Sequence, residues 1–183
     1  MDYTIIRSQR KTFGLQIKQG RVIVRAPISA SDVQISRFAE SHWNWVEKHL
    51  RLAQEREAEF AHVKPLSSEE LRELGRRARE TIPQRVRYYA DLLDVTYGKI
   101  TIRNQRTRWG SCSAKGNLNF NCLLMLAPPQ VLDSVVVHEL CHRKEMNHSQ
   151  RFYSQVYRVF PQYDRWHGWL KKNGGALMRR MEC

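Results

Sequence analysis

The sequence lacks the features that mark membrane proteins and disulfide-rich proteins. No apolar run approaches the roughly 18 residues that a membrane-spanning helix needs. The N-terminal MDYTIIRSQRK lacks the basic start and the apolar core of a signal peptide. The four cysteines, Cys112, Cys122, Cys141 and Cys183, show no CxxC spacing, which argues against a zinc knuckle and a disulfide framework. We therefore expect a cytoplasmic protein with free thiols and no membrane partner.

Acidic residues are also scarce. The 183 residues include 31 Lys and Arg against 18 Asp and Glu, so the formal net charge is +13. Such a charge attracts polyanions, acidic peptides or phosphates, although no run of about five or six like charges occurs. A solvated basic surface is the alternative explanation of the charge, and the absence of such a run favours it. Nucleic acid is therefore a possible partner, but the charge alone does not identify the partner. The hydrophobic content of 42% excludes a disordered chain.

The N-terminal third combines short strands with a long helix. Alternating apolar and polar residues up to Pro27 predict a meander of antiparallel strands, with a turn at Gln19-Gly20. Ser31 is a suitable N-cap for a helix that we expect to continue to about Phe60. We expect residues 1–64 to form one part of the chain.

Residues 65–183 alternate helix and strand. A helix capped by Ser67 or Ser68 is predicted to end around Asp94, and strands are predicted at 99–104 and 118–126. An irregular segment, TRWGSCSAKGN, joins these strands, and Pro129 suits the first turn of the next helix. The pattern predicts an α+β fold, in which 1–64 and 65–183 are separate domains or parts of one continuous domain.

The stretch VVVHELCHRKEMNHSQRFY holds three histidines and a glutamate in a largely apolar run. On a helix, His138 and His142 lie about 40° apart and about 6 Å along the axis, so their imidazoles converge on one point. Glu139 lies beside that point. The helix is apolar nearly all round and should be buried, where a bound metal ion would satisfy the histidine nitrogens. HExxH in this context predicts a metal site.

His148 is the candidate third ligand. A continued helix would point it away from His142, so the chain must leave the helix after Lys144 and double back. Asn147 can adopt the left-handed conformation for this reversal, and Ser149 can cap a following helix. Three histidines with one open position are typical of a catalytic zinc site. Mn or Co could occupy the same ligands.

Ordinary structural roles compete with these assignments. His138 and His142 could serve packing alone, and His148 could be a capping or surface residue. Cys141 points away from His142 and is interpreted as a small apolar filler. We interpret His167 as a packed or surface histidine. The alternative is that His167 faces the cleft.

The run from Arg108 to Tyr153, with RWGSC, NFN, HELCH and NHS in one order, resembles the YgjP-like family of predicted metal-dependent hydrolases, which is related to the WLM and SprT-like metallopeptidases. The resemblance implies a zincin-like catalytic module with His138, His142 and His148 as zinc ligands and Glu139 as the general base. The step from the second to the third histidine is similar to that of metzincins. However, those place Gly where this chain has Glu145, and no Met-turn is assignable.

Four further residues are candidates for substrate binding. The strand 118–126 would lie along the cleft in zincin-like folds and could align an extended peptide by backbone pairing. Asn119 and Asn121 share one side of that strand, and either an orienting role or a turn or edge hydrogen bond suits them. Trp109 approaches the same strand. Tyr153 could donate to an oxyanion or pack in the core.

Three functional classes remain open at this point. The first is a zinc peptidase that acts on peptides or proteins. The second is a zinc-dependent hydrolase of nucleotides or other phosphate esters, in which Arg106 and Arg108 would hold the phosphates. The third is a basic, nucleic-acid-associated module with little catalysis, for which the SprT-like relatives are the parallel. A catalytic role for Cys112 would need a nearby base that the sequence does not show, so we expect a structural role.

Overall fold

The computed structural model of the protein describes residues 2–18 and 20–181, and of residues 56, 57, 59 and 60 only the backbone. The chain divides into two compact units, one ending at His62 and the other beginning at Val63. Each unit combines helices with a three-stranded sheet, so the α+β fold class is confirmed. No helix in the described parts of the chain is both long and apolar enough to cross a bilayer.

The first unit begins with a sheet of β1 (Thr4–Ser8), β2 (Gly14–Lys18) and β3 (Arg21–Pro27) in the order β1-β3-β2. The pair β2–β3 is antiparallel, as predicted, but β1 lies parallel to β3, so the predicted meander is wrong. β1 and β2 do run in opposite directions, and β3 inserts between them. The central position buries Val24 and Ala26 of β3 completely. The predicted turn at Gln19 lies outside the described residues.

Two helices, α1 (Asp32–Ser41) and α2 (Trp43–Phe60), replace the single long helix predicted here. Ser31 and Gln34 form a capping box at the start of α1. The helix breaks at His42, which has φ −114° and ψ 10°. The His42 Nδ1 atom lies 2.9 Å from the Phe38 carbonyl oxygen and 2.9 Å from the Ser41 hydroxyl, so the side chain binds the last turn of α1. This local bond competes with continuation of the helix.

Over residues 63–181, the second unit contains three strands, four α-helices and one 3-10 helix. In chain order they are α3 (Ser68–Leu93), β4 (Ile100–Arg103), β5 (Gly110–Cys112), β6 (Leu118–Asn121), the 3-10 helix Cys122–Leu126, α4 (Pro129–Cys141), α5 (Gln150–Val159) and α6 (Tyr163–Arg179). A capping box between Ser67 and Glu70 begins α3, and Asp94 ends it in a left-handed conformation with φ 53°.

The sheet of the second unit has the order β4-β6-β5, with β4 parallel and β5 antiparallel to β6. β6 is therefore the central strand. It ends at Asn121 rather than at the predicted Leu126, because the Asn121 side chain accepts a hydrogen bond from the Leu123 amide and starts the 3-10 helix. β5 falls within the segment that we predicted to be irregular.

Helix α4 forms the centre of the larger core. Pro129 occupies its first turn, where the missing N–H is unneeded, and its apolar residues are buried on all sides, as expected. Each fully buried Val or Leu contributes about 1.5–3 kcal/mol relative to an exposed one. Arg85 of α3 donates to both carboxylate oxygens of Asp133 in α4, at 2.7 and 2.8 Å. This ion pair joins two helices of the core and holds α4 in place.

Candidate metal centre and active site

The end of α4 places two histidines of the site. His138 lies in its last turn, and His142 is the C-cap residue. The helix ends at Cys141, slightly earlier than predicted, and the amides of Arg143, Lys144 and Glu145 bond back to carbonyls of its last turn. These bonds satisfy part of the open helix end and turn the chain away.

The turn after α4 brings His148 back to the other two histidines. Asn147 does not adopt the predicted left-handed conformation, since Asp94 is the one non-glycine residue with positive φ within 2–18 and 20–181. Instead, its side-chain oxygen accepts a hydrogen bond from the Ser149 amide at 3.2 Å. Ser149 caps α5 as predicted, accepting from the Phe152 amide. An Asx bond and a cap therefore make the reversal without backbone strain.

The three imidazoles surround one point. One nitrogen of each of His138, His142 and His148 lies within 4.8 Å of the others. The ring centroids are 4.9–5.0 Å apart in all three pairs. Phe152 of α5 is fully buried and lies 4.8–4.9 Å from each of the three rings, so it forms an apolar floor under them. Sequence reasoning missed this residue, although its position four residues after His148 was a usable signal.

The nitrogen spacing suits a metal ion. The Nε2 atoms of His138 and His148 lie 3.0 Å apart. Two nitrogens bound at 2.0–2.1 Å by one tetrahedral zinc ion would be separated by about 3.3 Å. Three imidazole ligands also match the donor set of catalytic zinc sites. The pair His138–His148 therefore has nearly the spacing of two zinc ligands, and His142 supplies the third imidazole of the donor set.

Hydrogen bonds orient two of the rings. His142 directs Nδ1 at the Glu145 carbonyl oxygen, 3.1 Å away, so Nδ1 carries the hydrogen and Nε2 keeps its lone pair. His138 Nδ1 lies 2.8 Å from the hydroxyl of Tyr163 in α6. Burial lowers the pKa of His138 to about 3, and the neighbouring histidines add to the shift. Burial also lowers the pKa of His142. Both rings are neutral near pH 7, as metal ligation requires.

Glu139 is one of the few charged residues buried in the core. Its side chain is 7% exposed, and burial raises its pKa to about 7, while the charge of Arg108 acts in the opposite direction. Gly110 of β5 packs directly against the carboxylate, so that a Cβ atom there would lie 2.6 Å from Oε1. A carboxyl group with a pKa near 7 is suited to accept and return a proton.

A model of the family described as YgjP-like, metallopeptidase domain, matches residues 11–79 and 66–173 of the chain. The chain belongs to this family. The resemblance seen in the sequence is therefore confirmed. No curated protein matches the chain.

The solved structures that are similar to this YgjP-like chain include two metallopeptidase zymogens. The metallopeptidase zymogen of Pyrococcus abyssi abylysin is 23% identical, with a TM-score of 0.47, over 56% of this chain and 100% of that one. The metallopeptidase zymogen of Methanocaldococcus jannaschii jannalysin is 20% identical, with a TM-score of 0.45, over 50% of this chain and 94% of that one.

The strand that we expected to line the cleft of this YgjP-like domain is in the wrong place for that role. β6 pairs with β4 on one side and with β5 on the other, so its backbone has no free edge for a peptide. The edge strand next to Glu139 is β5. On either side of β5, the Trp109 carbonyl accepts from the amide of Asn121 in β6, and the Ser113 amide donates to the carbonyl of Asn117, the residue before β6, both at 2.9 Å. By the alternation of antiparallel ladders, the backbones of Gly110 and Cys112 face the free edge.

Asn119 and Asn121 have partners within the fold. The Asn121 amide is 1% exposed and donates to the carbonyls of Gln105 and Arg108 at 2.6 and 3.1 Å. It therefore fixes the loop before β5 and offers no free group to a substrate, which corrects the substrate-binding role. Asn119 donates to the Ser111 hydroxyl across the β5–β6 pair at 3.1 Å. This is the edge hydrogen bond that the sequence offered as the alternative role.

Trp109 and Tyr153 have different surroundings in the structure. The Trp109 ring packs against α6 at Gly174, where a Cβ atom would lie 3.1 Å from the indole. The contact favours a structural role, which holds the residues before β5 against α6. Tyr153 is half-buried beside the site, and its ring centroid lies 6.4 Å from that of His148. It remains a candidate substrate contact.

The remaining cysteines and His167 complete the surroundings of the site. Cys141 is buried, and burial raises its pKa to about 12, consistent with the expected filler role. Burial also raises the pKa of Cys112, so neither thiol is an activated nucleophile. His167 of α6 lies near the centre, with its ring 6.4 Å from that of His138. The sequence offered this placement only as an alternative.

Proposed function

We propose that the protein is a zinc-dependent peptidase in which His138, His142 and His148 hold the metal and Glu139 is the general base. The observation that carries the proposal is the convergence of the three imidazoles on one point, with the buried Glu139 carboxylate on the same helix as two of them. Membership of a metallopeptidase-domain family supports the assignment. Zinc is proposed on the donor set, since three histidines suit it well.

Residues of the chain have separate roles in the proposed hydrolysis. Bound zinc would supply a coordinated water with a pKa near 7 and would polarise the attacked carbonyl. Glu139 accepts the proton of the attacking water and returns it to the leaving amine. Burial raises the pKa of Glu139 to about 7, and Gly110 packs against its carboxylate. His142 is held for ligation by its bond to the Glu145 carbonyl.

The free edge of β5 is the proposed binding site for an extended peptide. The outward backbone groups of Gly110 and Cys112 can pair with a peptide as an added strand. Gly110 also contacts Glu139, so a peptide on this edge lies beside the general base. Tyr153 is a further proposed contact near His148. The family is described as a metallopeptidase domain, so peptide or protein is the substrate class that we propose.

A cytoplasmic setting is part of the proposal. Cys112, Cys122 and Cys141 are free thiols in the structure, which suits a reducing compartment. The location itself remains a prediction from the sequence.

Incubation of the zinc-loaded protein with casein and, separately, with ATP tests the substrate class. We expect casein cleavage, its loss on addition of a chelator and its recovery with zinc. We also expect Glu139→Gln to retain the metal and lose at least about 100-fold in rate, the usual scale of a general base. Hydrolysis of ATP but not of casein would reject the peptidase assignment in favour of the nucleotide alternative with Arg106 and Arg108. Full activity of Glu139→Gln would reject the general base.

A further inference from the structure

The hydroxyl group of Tyr163 lies between two histidines. Its oxygen is 2.8 Å from Nδ1 of His138 and 3.2 Å from Nδ1 of His167. Tyr163 begins α6 and is 2% exposed. Its ring is nearly parallel to both imidazoles, at 15° to His138 and 19° to His167. One buried hydroxyl thus connects α4, which carries two histidines of the site, to a histidine that the proposed reaction does not use.

The hydrogen count of this chain of bonds sets the tautomer of each ring. His138 Nε2 faces His148 Nε2 at 3.0 Å, which makes Nε2 the ligand atom and leaves the ring hydrogen on Nδ1. His138 therefore donates to the Tyr163 oxygen. A phenol has a single hydrogen to donate, and here it goes to His167 Nδ1. His167 consequently carries its own hydrogen on Nε2.

We propose that Tyr163 is a positioning residue of the metal centre, whose hydroxyl fixes the tautomer and orientation of His138 and couples this ring to His167. The inference rests on the proposed function, because it requires His138 to bind the metal through Nε2. Tyr163 itself neither binds the metal nor contacts substrate. Its hydroxyl oxygen accepts the hydrogen bond of His138 Nδ1, and such an acceptor orients a ligating histidine and raises its basicity.

A packing role for the Tyr163 ring is the competing explanation. The ring lies in a cluster with Tyr153 and Tyr157, with centroids 6.4 and 6.2 Å away. Tyr163→Phe keeps this ring and removes the hydroxyl alone, so it separates the two roles. Tyr157→Phe is a matched control. Its hydroxyl donates to the Asp164 carboxylate at 2.9 Å, and the residue is 39% exposed.

Zinc affinity is the decisive measurement, made by competition with a chromophoric chelator on the full chain. We expect Tyr163→Phe to bind zinc about 10–100-fold more weakly than the wild type, the usual effect of losing the partner of a ligating histidine. Tyr157→Phe should stay within about twofold of the wild type, since Tyr157 is exposed and its hydroxyl bonds to Asp164. His167→Ala should fall between them, because it leaves the bond between His138 and Tyr163 in place.

The histidine tautomers give a second readout that packing alone would not change. Nitrogen-15 spectra of the zinc-loaded wild type should show His167 with its hydrogen on Nε2, and Tyr163→Phe should abolish this fixed tautomer. Unchanged zinc affinity in Tyr163→Phe, or a greater loss in His167→Ala than in Tyr163→Phe, would overturn the inference while leaving the peptidase proposal intact. A wild type that binds no zinc would overturn both.

Discussion

Gly110 and Glu139 are in such close contact that a methyl group on residue 110 would lie 2.6 Å from one carboxylate oxygen and 2.7 Å from Cγ of the glutamate. Both atoms are nearer than non-bonded atoms approach. The edge strand β5 and the helix α4 therefore meet at a site that admits only glycine. This contact links the strand proposed for substrate binding to the residue proposed as general base.

We predict that Gly110→Ala displaces the Glu139 carboxylate and lowers kcat/KM for peptide hydrolysis by about 100-fold, since a displacement of about 1 Å at a catalytic group has this effect. Zinc content should be retained, because the methyl group meets Glu139 rather than a histidine. Gly168→Ala is the matched control, as a Cβ atom there meets nothing within 4 Å. Equal rates for the two variants would contradict the proposed tight contact.

The burial of Glu139 also predicts a pH-dependent cost in stability. In the metal-free protein its pKa rises from 4.5 to about 7, so the folded state holds a proton that the unfolded state releases between these values. Stability is therefore lost as the pH rises through this range, by about 3 kcal/mol at pH 8. We predict that metal-free Glu139→Gln is more stable than the wild type by about this amount at pH 8.

At pH 5 the same comparison should give a difference below about 1 kcal/mol. Glu139 is protonated in the folded state at this pH, and most of the pH range over which stability is lost lies above it. Thermal unfolding of the two metal-free proteins at both pH values measures the effect. A stability difference that is the same at pH 5 and pH 8 would show that the carboxyl group is not shifted in the way the structure indicates.

The part-buried ion pair between Arg85 and Asp133 should contribute more to stability than the exposed ion pairs of α3. Arg85→Ala would leave Asp133, which is 8% exposed, as an unpaired carboxylate in the core of the second unit. We expect a loss of about 1–3 kcal/mol in the free energy of unfolding, below the value for a fully buried pair because the arginine side chain is 37% exposed.

Arg76→Ala is the control for this pair. Arg76 bonds to Glu73 and Glu80 at 2.7 Å on the exposed face of α3, where solvent screens the charges and the pairs contribute little to stability. Urea unfolding of both variants makes the comparison. If Arg76→Ala were the more destabilising of the two, the conclusion that the Arg85–Asp133 ion pair holds α4 in place would be wrong.

The free edge of β5 predicts a period of two in the substrate backbone. A peptide paired with Gly110 and Cys112 uses the amides of alternate residues, while the amides between them point to solvent. N-methylation of single peptide bonds in a cleaved peptide should therefore suppress cleavage at alternate positions near the scissile bond and leave the intervening ones close to normal. The cleavage rates of such a series give the answer. A uniform effect at all positions would exclude strand addition on β5.

The local chemistry of the site was more predictable from the sequence than the contacts around it. The helical spacing of His138 and His142 and the cap at Ser149 depend on a few neighbouring residues, and both were predictable. The sequence predicted that the chain must reverse direction before His148, but it did not predict which interaction forms the turn. An Asn147 side-chain bond and a left-handed Asn147 both satisfy the same sequence pattern.

Contacts between distant segments were beyond prediction. The position of β3 between β1 and β2 depends on which strand buries more apolar surface, which the alternation of each strand by itself does not specify. The contact of Gly110 with Glu139 spans 29 residues, and that of Tyr163 with His138 spans 25. Tyr163 and His167 lie four residues apart on one face of α6, but nothing in the sequence indicated that this face packs against α4.

The zinc-to-protein ratio after equilibrium dialysis of the wild type, His148→Ala and Glu139→Gln tests the central claim most directly. The account predicts one zinc ion for the wild type, one for Glu139→Gln, since this residue is the base and not a ligand, and a strongly reduced content for His148→Ala. An unchanged zinc content in His148→Ala would contradict the account.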